Sequence, residues 1–129
     1  MTLTFRTLPP STNHLYAQRG NARFLKPEVR AAKEAIGWEA RSQYHGKPLT
    51  CPLAVSVALY WPDRRKHDVD NIKALLDACT GILWEDDGQI IDLHITKDFD
   101  KEAPRVVMAV REVTETEKRQ ETISRQLSD

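Results

Sequence analysis

The chain has 129 residues, 19 basic and 19 acidic side chains, and an apolar fraction of 40%. This length suits one domain with one modest core, and no stretch approaches the roughly 18 apolar residues that a membrane span needs. The first residues lack the basic stretch and apolar run of a signal peptide, so we expect a cytoplasmic protein. The two cysteines, Cys51 and Cys79, are too few for a disulfide scaffold or a four-ligand zinc site and are expected to be reduced.

The zero net charge conceals an uneven distribution of charge along the chain. Residues 1–67 contain 11 Lys and Arg against 4 Asp and Glu, whereas residues 68–129 contain 8 against 15. A chain divided in this way offers a basic surface to a polyanion and an acidic cluster to another partner, such as a metal ion. Two unequal solvated faces would give the same counts, so charge alone leaves both interpretations open.

Hydrophobic periodicity predicts four strands and two helices, since alternation indicates strands and three-to-four spacing indicates helices. In chain order these are a strand at Leu3–Leu8, a helix from about Pro27 to about Tyr44, a strand at Leu53–Trp61, a helix from about Asn71 to Leu83, and strands at Ile90–Thr96 and Arg105–Val110. Residues 11–26 are predicted to form a loop or ragged hairpin. The link between the last two strands is short enough for a hairpin.

This order of elements predicts an α+β domain with one mixed sheet covered by two helices. The domain is expected to span residues 1–113. Residues 114–129 are nearly all polar and have too little apolar surface to pack, so they are expected to form a frayed helix or a disordered tail.

Two groups of carboxylates flank the second predicted helix. Asp68 and Asp70 precede it, and the acidic run 85–87 follows it. In an extended segment, residues two apart lie on one side, so Asp68 and Asp70 can converge on one cation. The two groups can meet only if the chain folds back and the strand from Ile90 lies beside the strand ending at Trp61.

Carboxylates grouped in this way suit phosphodiester hydrolysis. The reaction needs an activated water and neutralised phosphate charge, and a divalent ion held by two or three carboxylates supplies both. Lys73 would stabilise developing negative charge, and the basic run 64–67 would hold neighbouring phosphates. Alternatively, Asp70 is an ordinary helix N-cap and the run 85–88 a plain acidic turn.

Residues 62–92 contain two separated motifs at compatible spacing. The first reads P-D-R-R-x-x-D-x-D-N at residues 62–71, and it is followed by a helix with Lys and Leu-Leu-Asp-Ala. The second reads W-x-D-D-x-Q-I-x-D at residues 84–92, and an early P-P-S-x-N occupies residues 9–13. Together they resemble the motifs of the RusA-type Holliday junction resolvases, endodeoxyribonucleases common in phages and prophages.

The resemblance implies a small α+β homodimer, of phage or prophage origin, acting on four-way junction DNA. Paired nicks in strands of like polarity would require Mg²⁺, or Mn²⁺ in its place, and no small-molecule cofactor. Asp68, Asp70 and Asp87 match the essential aspartates, which would hold the metal. Lys73 matches the active-site lysine. The segment that contains it is slightly shorter than in the family, and a one-residue shift turns a helical side chain by about 100°, so either the helix starts one residue earlier here or Lys73 is not in the active site. Asp86 and Asp92 match further acidic positions of the family, and Asn13 and Asn71 would lie beside the site.

The basic first half of the chain would face the junction. The residues expected to contact DNA are Arg19, Arg23, Lys26, Arg64, Arg65 and Lys66. Two alternative functions remain: a nuclease acting on flaps or branched DNA generally, and a DNA-binding module that has lost catalysis. The three aspartates argue against the second, because a pure binder gains nothing from three acids facing a polyanion.

Overall fold

The computed structural model describes residues 1–10, 16–19, 22–64 and 72–114, and of residues 16–19 and 22–25 it describes the backbone only. Within these residues the strands are β1 (Thr2–Phe5), β2 (Tyr16–Arg19), β3 (Ala22–Leu25), β4 (Leu53–Trp61), β5 (Ile90–Phe99) and β6 (Arg105–Glu112). The helices are α1 (Pro27–Gln43) and α2 (Ile72–Cys79), and a short 3₁₀ helix covers Asp87–Gln89. None of the described helices is both long and apolar enough to cross a membrane.

Four strands form one mixed sheet in the order β1-β6-β4-β5. β4 pairs with β5 in parallel, while β6 runs antiparallel to both β4 and β1. β2 and β3 form a separate antiparallel pair, which confirms the hairpin alternative for this part of the chain. The predicted α+β domain with a mixed sheet and two helices is confirmed.

The core lies between one face of the sheet and the two helices. β4 follows the predicted alternation, because every second side chain from Leu53 to Trp61 is buried. The helices contribute the buried side chains Ile36, Ala40, Leu75 and Cys79. Both cysteines are free, as predicted. Cys79 is a fully buried core side chain, and this burial raises the pKa of its thiol to about 12.

β1 is shorter than predicted, because its end is bound by a helix. The prediction extended the strand to Leu8, but β1 ends at Phe5. The backbone N–H groups of Arg6 and Thr7 donate to the carboxylate of Glu39 on α1, at 2.7 Å and 3.3 Å. These two groups are therefore not available for a strand ladder.

The second helix ends four residues before the predicted end at Leu83, and a glycine accounts for the difference. α2 ends at Cys79, and Gly81 has a φ of 89°, a conformation that ends helices because only glycine adopts it without strain. The Gly81 N–H donates to the carbonyl of Trp84, which closes the turn. Leu83 and Trp84 are still fully buried. Their apolar character, which extended the helix prediction, belongs to a turn that packs on the core.

The predicted hairpin between the last two strands is wrong, because β4 lies between β5 and β6. The link after Phe99 passes the end of β4, where the N–H of Asp100 donates to the carbonyl of Trp61 at 2.8 Å. The link between β5 and β6 therefore passes the end of β4 instead of joining two adjacent strands. The two strands are also longer than predicted, ending at Phe99 and Glu112.

Candidate functional site

Two neighbouring aspartates have different roles in the acidic turn before β5. Asp86 caps the 3₁₀ helix, because its Oδ1 accepts the N–H of Gly88 at 3.0 Å. Asp87 is the first residue of that helix, and its side chain is exposed. The Asp86 side chain is exposed as well, but a capping aspartate already has one oxygen engaged, which leaves it fewer oxygens for a ligand. Asp87 is the better candidate for a metal ligand.

Gln89 positions this turn, a role that the sequence reading did not assign. Its Oε1 accepts the backbone N–H of Asp86 at 2.8 Å, completing a capping box. Its Nε2 donates to the carbonyls of Leu49 and Cys51, at 2.8 Å and 3.0 Å. The turn is thereby tied to the residues just before β4. The D-x-x-Q spacing of a capping box was visible in the sequence, but its long-range bonds were not.

The other predicted site residues are divided between described and undescribed parts of the chain. Lys73 is exposed in the first turn of α2. Asp68, Asp70, Asn13 and Asn71 lie outside the described residues, so their part in a site stays a prediction.

The contacts between α1 and β1 show at which end of the sheet α1 begins. Gln43, at its last turn, exchanges two hydrogen bonds of 2.8 Å with the backbone of Thr4, and Glu39, one turn earlier, binds the N–H of Arg6. α1 therefore runs antiparallel to β1. Because β1 and β4 have the same direction, the first turn of α1 lies at the end of the sheet where β4 ends.

α2 lies beside α1 in the same direction. Val29 in the first turn of α1 packs against Ala74 in the first turn of α2. Further along, a β-carbon on Gly37 would stand 3.4 Å from Cδ1 of Ile82 and 3.8 Å from the carbonyl of Ala78. The first turn of α2, with Lys73, is therefore at the end of the sheet where β4 ends.

Asp87 lies at the opposite end of the sheet. β5 is parallel to β4, with Ile90 opposite Leu53 and Phe99 opposite Trp61, so the acidic turn is beside the first residue of β4. This confirms that the strand from Ile90 lies beside β4. At about 3.3 Å per residue, a strand as long as β4 spans about 26 Å. One chain does not bring Lys73 and Asp87 together.

Two of the basic residues predicted to face DNA, Lys26 and Arg64, lie at the end of the sheet where β4 ends. Arg64 is exposed, and its guanidinium lies over the ring of Phe99, 4.7 Å from the centroid. Lys26 is half-buried and directly precedes α1. Arg19 and Arg23 lie on β2 and β3, and only their backbone is described. Arg65 and Lys66 are outside the described residues.

The remaining acidic position of the second motif, Asp92, faces away from the helices. Its Oδ1 lies 3.3 Å from Nε2 of His94, and the Asp92 side chain is 24% exposed. Among the described residues no three histidine, cysteine or acidic side chains are grouped closely enough to hold a metal ion. A metal centre built on Asp87 therefore needs ligands from the undescribed residues or from another chain.

A comparison with family models gives the class of protein. The family described as endodeoxyribonuclease RusA matches residues 7–111, which include both helices and both acidic motifs. The class is thus that of the endodeoxyribonucleases.

Similar proteins agree with this class. Crossover junction endodeoxyribonuclease RusA of Aquifex aeolicus is 30% identical over 105 residues, covering 79% of this chain and 82% of its own length. The proteins of the same name from Escherichia coli K12 and from Enterobacteria phage 82 are each 30% identical over 91 residues, covering 69% of this chain and 76% of their own. The chain therefore belongs to the RusA endodeoxyribonuclease family.

Proposed function

We propose that the protein resolves four-way DNA junctions by paired, symmetric, metal-dependent nicks, in recombination and repair in the cytoplasm of a bacterial cell. The observation that carries this proposal is the family match over residues 7–111. The aspartates that the sequence motifs predict for the site, Asp68, Asp70 and Asp87, all lie within that range. The phage relative supports a phage or prophage origin.

The carboxylates of Asp68, Asp70 and Asp87 would hold Mg²⁺, with Mn²⁺ as a substitute. The donor set fits, because hard divalent ions prefer carboxylate oxygens and Asp87 is exposed on a turn fixed by Asp86 and Gln89. The bound ion supplies charge neutralisation and an acidified water. Lys73 would stabilise negative charge on the attacked phosphate.

We further infer that two copies of the chain are needed for one site. What supports this is the position of Lys73 and Asp87 at opposite ends of the same sheet. In a homodimer whose twofold axis reverses the strand direction, one end of one sheet lies beside the opposite end of its partner. Each site would then combine residues 68–73 of one subunit with Asp87 of the other, and the two sites would match the twofold symmetry of the junction.

Arg64 would contact phosphate beside the cut. Stacking on Phe99 already restricts the Arg64 side chain, so less conformational entropy is lost when the guanidinium binds phosphate.

The experiment that tests the proposal is a cleavage assay on a synthetic four-way junction with a mobile core, beside linear duplex and a flap. We expect paired symmetric nicks in the junction with Mg²⁺, none with EDTA, and none in duplex. Junction binding without cutting would replace this function by that of a catalytically silent DNA-binding module. Equal cutting of flaps and junctions would identify a broader branched-DNA nuclease.

A further inference from the structure

The outward face of α1 carries an exposed tryptophan beside a cleft. Trp38 is 69% exposed, more than any other large hydrophobic side chain in the described part of the chain. It lines a cleft of about 420 Å³ between α1 and the turn that follows α2. Leaving so large an apolar ring in water is unfavourable, and such side chains mark interaction surfaces more often than chance.

Three cations line the same cleft as this tryptophan. Arg30, Lys33 and Arg41 all line the cleft, and their spacing of three and eight residues places them along one side of the helix. The guanidinium of Arg41 lies 5.7 Å from the centroid of the Trp38 ring. Glu34 is the single acidic side chain in the cleft lining, so cations outnumber acids three to one.

The opposite wall of the cleft presents small and uncharged residues. It is formed by Ala78, Thr80, Gly81 and Ile82, and Gly37 on α1 approaches this wall closely. The other acid nearby on α1, Glu39, is directed to the backbone of Arg6 and Thr7 on the far side of the helix. No acidic side chain of the described opposite wall therefore opposes a bound anion.

The basic face of α1 is continuous with the end of the sheet that carries Lys73. Its first member, Arg30, follows Val29, which packs against the first turn of α2. From Arg30 to Arg41 a helix rises about 16 Å, which is the axial length of about five base pairs of duplex at 3.4 Å each. A DNA arm leaving a site at Lys73 can therefore follow α1 for about half a helical turn.

We propose that this surface, formed by Arg30, Lys33, Trp38 and Arg41, binds a duplex arm of the branched DNA substrate. The three cations contact phosphates, and the Trp38 ring packs against the deoxyribose edge. The proposal rests on the proposed function for the identity of its ligand. This surface is additional to the DNA-contacting residues predicted from the sequence. It implies that the affinity for a junction depends on the length of the junction's arms.

Charge complementarity is the reason to prefer DNA to a protein partner. The centre of a protein interface is depleted in charged residues, whereas here the tryptophan shares its cleft with three cations. Arginine and an aromatic ring side by side are the combination that nucleic-acid surfaces use for phosphates and apolar edges.

The test compares Trp38→Ala and Lys33→Glu with the wild-type protein on two four-way junctions, with arms of about 15 and about four base pairs, the shorter arm ending before Trp38 at 3.4 Å per pair. Dissociation constants are measured by fluorescence anisotropy in EDTA. On long arms we expect each variant to bind about tenfold more weakly, and Lys33→Glu to lower the salt slope by about one. On short arms Trp38→Ala should match the wild type. Lys33→Glu should keep its loss there, because Lys33 lies only about 5 Å beyond Arg30 along the helix and four base pairs still cover it.

Lys47→Glu is the matched control, since Lys47 is exposed and lies beyond α1. It should change the long-arm constant by less than about twofold. Unchanged binding of Trp38→Ala on long arms, or an equal loss by Trp38→Ala on both arm lengths, would overturn the proposal. So would a shift in sedimentation that places Trp38 in a protein interface. If the wild type cleaves junctions but binds them equally well at both arm lengths, this inference alone is rejected. If its binding depends on arm length but it does not cleave, the nuclease proposal alone is rejected.

Discussion

Neighbouring residues of one type have different roles in the acidic turn. Asp86 accepts the Gly88 N–H and receives support from Gln89, so its carboxylate maintains the turn. Asp87 is exposed, and it takes part in the turn through its backbone carbonyl, which accepts the Ile90 N–H. This separation means that stability and cleavage can be changed independently at adjacent positions.

Asp87→Asn should lower the rate of junction cleavage by on the order of a hundredfold or more, the scale of removing one charged group from a site. Junction binding should persist or tighten, because the variant removes a negative charge that repels phosphate. Asp86→Ala should instead destabilise the fold by about 1 kcal/mol through loss of the cap. Single-turnover cleavage and urea unfolding separate the two effects. Full cleavage by Asp87→Asn would remove this residue from the site.

Asp100 is a second position where one carboxyl organises a link. Its pKa is lowered by the backbone N–H of Ala103, then by the side chain of Arg105, whose Nη1 lies 2.8 Å away, and by the N–H of Glu102. The Arg105 guanidinium also stacks on Tyr60 at 4.0 Å. The folded protein therefore favours the charged carboxylate more than the unfolded chain does.

Stability should therefore depend on pH through Asp100. Because the pKa is lower in the folded state, the contribution is fully present above the ordinary value and is lost as the pH falls through the lowered value. Asp100→Asn should unfold at a lower temperature than the wild type at neutral pH, and the difference should shrink in acid. Thermal unfolding at pH 7 and in strong acid measures both differences. A difference of equal size at both pH values would contradict this account.

At the scale of elements, the turn after α2 determines where the acidic motif begins. α2 stops at Cys79, the turn closes through Gly81 and Trp84, and the indole N–H of Trp84 donates to Oγ1 of Thr80 at 3.0 Å. The carbonyl of Leu83 accepts the N–H of Leu49. These bonds direct the chain toward the start of β4, where the acidic turn lies.

Gly81→Ala should destabilise the protein by about 1 kcal/mol, because alanine is strained at positive φ. A β-carbon there would meet nothing within 4 Å, so the cost would come from the backbone alone. Gly88→Ala is the control, since its β-carbon would make ordinary contact with Asp86 at 3.5 Å, and we expect a change below about 0.5 kcal/mol. Urea unfolding compares the two variants. Equal stability of Gly81→Ala and the wild type would show that the turn does not require glycine.

At the scale of the whole molecule, parallel pairing of β4 and β5 places Lys73 and Asp87 at opposite ends of the sheet. The crossover through α2 begins where β4 ends and returns to where β4 begins. This topology is the reason for proposing sites shared between two subunits.

Mixing two inactive variants tests that arrangement. Asp70→Asn and Asp87→Asn should each be inactive as homodimers. After subunit exchange, heterodimers should contain one site without either aspartate and one intact site, so single nicks should return. A gel assay of mixed and separate proteins checks this result. No recovery after verified exchange would mean that each site is built within one subunit.

Local patterns were sufficient for most elements. The alternation of β4 and the apolar stripes of α1 and α2 identify their buried faces, because a side chain repeats its direction every two residues in a strand and every three to four in a helix. The ends of the strands and helices were less predictable. β1 stops at Phe5 because Glu39, distant in the chain, takes the next two N–H groups.

The sequence by itself determined the elements, the family and the identities of the acidic residues, since these depend on residue type and local spacing. Only the tertiary structure decided that β6 lies beside β4, that Asp86 is a cap while Asp87 is exposed, and that Lys73 and Asp87 lie at opposite ends of the sheet. The physical reason is that strand pairing joins residues far apart in the chain, and their backbone hydrogen bonds carry no signal in the local sequence.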